Sequence, residues 1–127
     1  MTTKHGVLLA VFFLLPVSLA AHHSWTAEYD AAKPVTVRGV VTKVEWTNPH
    51  THFYIESKDE NGTVTSWNFE MASTLALERG GWSRKTLPVG TEITISGFGG
   101  RAVTERAIAS AITTADGRAL FVAKPGS

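Results

Sequence analysis

Three features of the sequence predict an all-β fold with small α content. Apolar residues recur with period two over five separate stretches, turn residues divide those stretches, and one segment alone shifts to a helical spacing.

The first stretch begins near Val35. Val35 and Val37 alternate with polar neighbours, Gly39 interrupts, and Val40, Thr42, Val44 and Trp46 then share the other parity. A glycine bulge in a strongly bent strand moves an apolar face in this way, so the change of face is expected at Gly39. The segment Thr47-Asn48-Pro49 ends the strand, because proline has no N–H and constrains the residue before it.

HFYIES, from His52, is the second strand, with Phe53 and Ile55 on one face and His52, Tyr54 and Glu56 on the other. DENG, from Asp59 to Gly62, is a hairpin signal, and VTSWNFE follows with Trp67 and Phe69 sharing a face. The period then changes. Ser73 is placed to cap a short helix, and Gly80-Gly81 is placed to stop it. LPVG turns into TEITISGF, a fourth strand with Ile93 and Ile95 inward. AIASAITT is the fifth, with Ile108 and Ile112 expected inward; ADGR, a short apolar ALFV and a frayed tail complete the chain. Five strands with one short helix between strands 3 and 4 describe an OB-like barrel.

Four parts are expected along the 127 residues. Residues 1–21 read as a signal peptide: a positive start, an apolar core of about eleven residues from Val7, and the small residues Ser18-Leu19-Ala20-Ala21. That core is short of the roughly 20 residues a membrane span needs. Residues 22–33 form an N-terminal leader, 34–122 the barrel and 123–127 a flexible tail. The expected location is therefore periplasmic, with no membrane association after cleavage. Lys+Arg number 12 and Asp+Glu 11, and removing Lys4 with the signal leaves 11 of each. A near-neutral domain lacks the basic excess of a nucleic-acid binder, so no nucleic-acid partner is expected. Cysteine is absent, which excludes a disulfide framework.

The run HHSW-x-AEYD from His22, KPVTVRGVVTKVEWTNPH from Lys33, the Trp-Asn-Phe-Glu strand, GGW at Trp82 and DGR near the end resemble a family of short exported bacterial proteins of unknown function. The resemblance covers essentially the whole mature chain. It implies an exported OB-like domain and carries no established activity. Ala21, an extra alanine before the two histidines, leaves either Ala21 or His22 as the first mature residue.

Four histidines outside the signal fall in two pairs, His22 with His23 and His50 with His52. Cleavage after Ala21 gives His22 a free amine beside its own imidazole. Cleavage after Ala20 gives Ala-His-His, where the amine, two deprotonated amides and an imidazole can surround an ion in a plane. Both termini offer the nitrogen-rich planar geometry that Cu(II) prefers. A leader of twelve residues spans at most roughly 40 Å, so the terminal pair can reach His50 and His52. The sequence thus points to a binding protein whose candidate ligand is Cu(II) or another transition-metal ion, at His22, His23, His50 and His52.

The alternative is a metal-independent module that takes a glycan, a peptide or a partner on the face of strands 2 and 3. Tyr54, Glu56, Asn68 and Glu70 carry that reading, which uses the usual ligand surface of such barrels. No nucleophile elbow, zinc-protease motif or phosphate loop is present, so catalysis is not expected. Trp67 is the most secure core tryptophan, and residues 29–34 read as a linker into the first strand with Tyr29 packing back on the barrel.

Overall fold

In a computed structural model that describes residues 24–123, the chain forms α1 (Ser24–Glu28), β1 (Tyr29–Glu45), β2 (His52–Lys58), β3 (Val64–Glu70), α2 (Thr74–Arg79), β4 (Glu92–Gly100), β5 (Arg106–Thr114) and β6 (Ala119–Val122). The predicted signal peptide, His22, His23 and the last four residues lie outside the described residues.

Pairing runs in the order β3-β2-β1-β4-β5-β6, and a parallel contact between β3 and β5 closes the first five strands into the expected OB-like barrel. The 17-residue β1 serves both sides of the barrel, because Pro34 to Val40 pair with β4 and Val40 to Glu45 pair with β2. It begins at Tyr29, inside the segment read from sequence as a leader. β6 is a sixth, short strand that extends the β5 edge.

Two details of parity differ from the sequence reading. The face of β1 changes at a bulge between Val41 and Lys43, not at Gly39, so Val41 is buried and Val40 is exposed. Gly39 has another role: a Cβ there would stand 2.2 Å from the Glu56 carbonyl oxygen, so only glycine allows β1 and β2 to approach this closely. In β5 a register shift opposite Ser96 and Gly97 leaves Ser110 without a partner on β4, and the inward residues become Ala107, Ala109 and Ile112. Ile108, expected inward, is only half-buried. Bulges shift the face by one residue without leaving a compositional mark.

The core gathers Val37 and Val41 from β1, Phe53 and Ile55 from β2, Phe69 from β3, and Ile93 and Ile95 from β4. α2 closes over it. Ser73 adopts extended backbone and its hydroxyl accepts from the Ala76 amide at 3.2 Å, which starts the helix. Leu77 points into the core and Trp82 follows Gly81, whose positive φ turns the chain. Trp82 meets Phe53 and Phe121 edge-on, at centroid distances of 6.1 and 6.2 Å, so β6 supplies part of the plug. Trp67 is half-buried against Phe69, and Trp25 is exposed.

Gly97→Ala is expected to be far more damaging than Gly80→Ala. At Gly97 the new methyl would lie 2.0 Å from the Ile108 carbonyl oxygen, whereas at Gly80 the nearest atom is 3.3 Å away. Urea unfolding should report a loss of at least about 2 kcal/mol for the first. The second should cost less than about 1 kcal/mol, since its φ is negative and needs no glycine.

Candidate functional site

β1, β3, β5 and the loop before β2 meet on one side chain. Glu70 ends β3, and although its side chain belongs to the outer face of the β2–β3 pair, it is 5% exposed. A carboxylate that has lost its water must find donors within the protein. Its Oε2 accepts from the Tyr29 hydroxyl in a short hydrogen bond and from Arg106 Nη2 at 2.8 Å. Its Oε1 lies 2.5 Å from His50 Nδ1. Arg106 opens β5 and spreads over three groups: Nε donates to the Tyr29 oxygen at 2.9 Å, while Nη2 also reaches Glu28 Oε2 at 3.0 Å. Its guanidinium stands 5.4 Å from the Tyr29 ring centroid.

The leader is tied down around this cluster. Arg101 donates from its amide to the Glu28 carbonyl at 2.8 Å and from Nε to the Thr26 carbonyl at 2.9 Å. Tyr29, the first residue of β1, is 1% exposed. The loop that carries His50 is held separately. Thr51 is fully buried; its amide and hydroxyl both donate to the Ala72 carbonyl, and its own carbonyl accepts from the Met71 amide. Asn48 Oδ1 accepts from the amide and hydroxyl of Thr74, and the Asn48–Pro49 bond is cis. These contacts place His50 beside the end of β3.

The electrostatics follow from the burial. Burial opposes charge on Glu70, but the hydrogen bonds from Tyr29 and Arg106, with electrostatic contributions from His50 and Arg106, outweigh it and hold the carboxyl below its usual range. Burial, the hydrogen bond to Glu70 and the Glu70 charge drive the Tyr29 phenol well above the ordinary phenol range. The cluster is therefore an ionised carboxylate, a neutral phenol that donates to it, and a guanidinium that neutralises it.

A second polar strip crosses the outer face. Lys43 Nζ contacts Glu45 Oε1 at 2.5 Å, Tyr54 donates to Glu45 Oε2 at 3.3 Å, and Asn68 Nδ2 lies 3.5 Å from the Tyr54 oxygen. Asn68 Oδ1 is 2.9 Å from His52 Nδ1. An amide oxygen only accepts, so in this contact Nδ1 of His52 is the donor.

Of the residues singled out from sequence, His50 and His52 thus stand beside Glu70 and Asn68, alternate residues of one β3 face. β2 begins at His52, so Thr51 does not continue the strand between them. Tyr54 and Asn68 belong to the polar strip, and Glu56 is exposed next to them. Glu70, expected on an open ligand face, is buried in the ion-pair cluster. Among the described residues no three or more His, Cys, Asp or Glu groups are arranged to hold a metal ion. Sequence reasoning placed Tyr29 against the barrel, where it is buried, but missed its bond to Glu70 and missed Arg106, which lie 41 and 36 residues from Glu70. A charged residue closing one alternating strand and another opening a later one was the only available signal.

Mitochondrial single-stranded DNA binding protein Rim1 from S. cerevisiae aligns over 72% of this chain and 96% of its own, at 11% identity and a TM-score of 0.49. The N-terminal domain of PriB protein from Thermoanaerobacter tencongensis aligns over 65% and 96%, at 21% identity and a TM-score of 0.48. No curated protein matches. A family model described as "Family of unknown function (DUF6152)" matches residues 12–108.

Removing Arg106 would leave a buried, unneutralised carboxylate. Arg106→Met should therefore cost about 3–5 kcal/mol in urea unfolding, and Tyr29→Phe about 1–3 kcal/mol. The pH dependence has two limbs. The lowered Glu70 carboxyl contributes stability that is full above the ordinary value of about 4.3 and is lost as pH falls through its folded value. The raised Tyr29 phenol contributes below its ordinary value of about 10, and that share is lost as pH rises toward its folded value. Glu70→Gln should flatten the acid limb, as read from urea midpoints at pH 7 and pH 3.

Proposed function

The chain belongs to that family of unknown function, matched over residues 12–108, and from this premise we propose that it is an exported periplasmic binding protein for Cu(II) or another late transition-metal ion. The ligands are His22 and His23 at the processed N-terminus, with His50 and His52 from the barrel.

One observation carries this reading. Both barrel histidines turn Nδ1 to an oxygen acceptor, His50 to Glu70 at 2.5 Å and His52 to Asn68 at 2.9 Å. In the neutral ring that arrangement puts the proton on Nδ1 and the lone pair on Nε2, as in metal sites where a carboxylate or amide oxygen fixes the tautomer. His50 keeps 46% of its side chain exposed. The described residues hold no complete ligand set, so the reading requires the terminal pair. Chain length permits this, because the six residues from His23 to Tyr29 span at most roughly 20 Å. An all-nitrogen donor set with no cysteine favours Cu(II) among the divalent ions.

A metal-independent glycan-, peptide- or partner-binding face is the second reading. Its support is the strip from Lys43 through Glu45, Tyr54 and Asn68 to His52, which presents polar groups already fixed by one another. Tyr54, Glu56 and Asn68 carry it; Glu70, being buried, does not. The near balance of charge after signal removal argues against a nucleic-acid ligand, and the lack of a nucleophile motif argues against catalysis.

The test is a native mass spectrum of protein exported to a periplasm and purified untagged, with and without one equivalent of Cu(II). The expected result is a chain starting at Ala21 or His22 that retains one copper against a competing chelator. His22→Ala with His23→Ala should weaken that binding by orders of magnitude. No retained copper, or an unchanged affinity in the double variant, would contradict the metal reading. Glycan or peptide binding by the metal-free protein would favour the second.

A further inference from the structure

We propose that Asn61 is the site at which the folded protein loses a side-chain amide, becoming aspartate or isoaspartate, and that the turn built on Asp59 sets how fast this happens.

Asn61 and Gly62 lie at the tip of the β2–β3 hairpin, where every residue from Lys58 to Val64 is exposed. The backbone amide of Asn61 is bonded, but its side-chain amide has no hydrogen-bond partner among the described residues. The next backbone nitrogen belongs to a glycine, which carries no side chain to obstruct its approach to Asn61 Cγ.

The reaction needs only water. The Gly62 nitrogen gives its proton to a solvent base and forms a bond to Asn61 Cγ, and the side-chain nitrogen leaves as ammonia with a proton from water. A second water opens the resulting five-membered imide at either carbonyl. One opening leaves aspartate; the other leaves isoaspartate, with the side-chain methylene carried in the backbone. Either product adds a carboxylate beside Asp59 and Glu60. Isoaspartate also lengthens the connection between Lys58 and Val64, whose pairing is the outermost of the hairpin.

The same turn restrains the reaction. Gly62 donates its N–H to the Asp59 carbonyl at 3.0 Å, so the attacking nitrogen is engaged until the turn opens. Asp59 keeps it closed: its amide donates to the Thr63 carbonyl at 3.0 Å, and its Oδ1 accepts from the Asn61 and Thr63 amides at 2.9 Å. Exposed backbone bonds of this kind open locally without global unfolding.

The other asparagines lack this opening. Asn48 precedes Pro49, which has no N–H to attack with. Asn68 is engaged through both amide atoms, by His52 and Tyr54, and precedes the buried Phe69. Asp116-Gly117 is a similar turn, but the Thr114 hydroxyl holds the Asp116 carboxyl below its usual range, and an ionised carboxylate resists attack.

The test is peptide mass spectrometry after incubation at mildly alkaline pH, on the native protein and on the chain unfolded in guanidinium chloride. Asn61 should convert to both products in each, more slowly in the native protein, with Asn48 and Asn68 unchanged there. Asp59→Ala should speed the native reaction about 2–10-fold, the factor that one hydrogen bond supplies, and leave the unfolded rate as it was. No conversion at Asn61 in the native protein would overturn the site. Equal native and unfolded rates, or a native rate unmoved by Asp59→Ala, would overturn the role of the turn. If Asp59→Ala does not fold, the ratio of native to unfolded rates in the wild type decides alone.

Discussion

A carboxylate with 5% of its surface exposed demands partners, and the partners of Glu70 come from three distant parts of the chain. Arg106 brings β5 against β3, where the parallel pairing closes the barrel. Tyr29 brings the start of β1 and the leader before it. His50 brings the loop that joins β1 to β2. Because each donor satisfies the same anion, loss of any one leaves the others holding an under-solvated charge, so the three segments are coupled energetically as well as in space.

The apolar core alone would not impose this arrangement. Phe53, Phe69, Ile93, Ile95 and Ile112 pack the barrel interior, and Trp82 with Phe121 covers it. Hydrophobic burial is indifferent to which polar groups meet outside the sheet. The specific placement of Tyr29 and His50 comes from directional bonds to Glu70, together with the Thr51 and Asn48 anchors that hold the loop. The protein thus separates two tasks, with packing closing the barrel and one buried anion setting what its outer face presents.

Much of the fold was legible because period-two patterns and turn chemistry act locally. The strands, the Ser73 cap and the turns at Gly62, Gly90 and Gly117 follow from nearest neighbours in sequence, and the three glycines do adopt positive φ. The β1 bulge was legible as a change of face but was expected at Gly39 and lies between Val41 and Lys43, and the β5 shift was not legible; hence Val40 and Ile108 were assigned inward and Val41, Ala107 and Ala109 were not. The candidate site was half legible. Histidine pairs announce themselves by residue type, whereas the Glu70–Arg106–Tyr29 cluster joins residues up to 77 apart whose types are ordinary on a surface. Only closure of the barrel makes them neighbours. Glu70 in particular follows the alternation of an outward face and is nonetheless buried, because partners from β1 and β5 cover it.

The central claim is that one buried carboxylate sets where the start of β1, the His50 loop and Arg106 stand. A crystal structure of the Glu70→Gln variant tests it most directly. At least one of the contacts to Tyr29, His50 and Arg106 should open, because an amide accepts on one side only. All three contacts retained in their wild-type geometry, with His50 still 2.5 Å from residue 70, would contradict it.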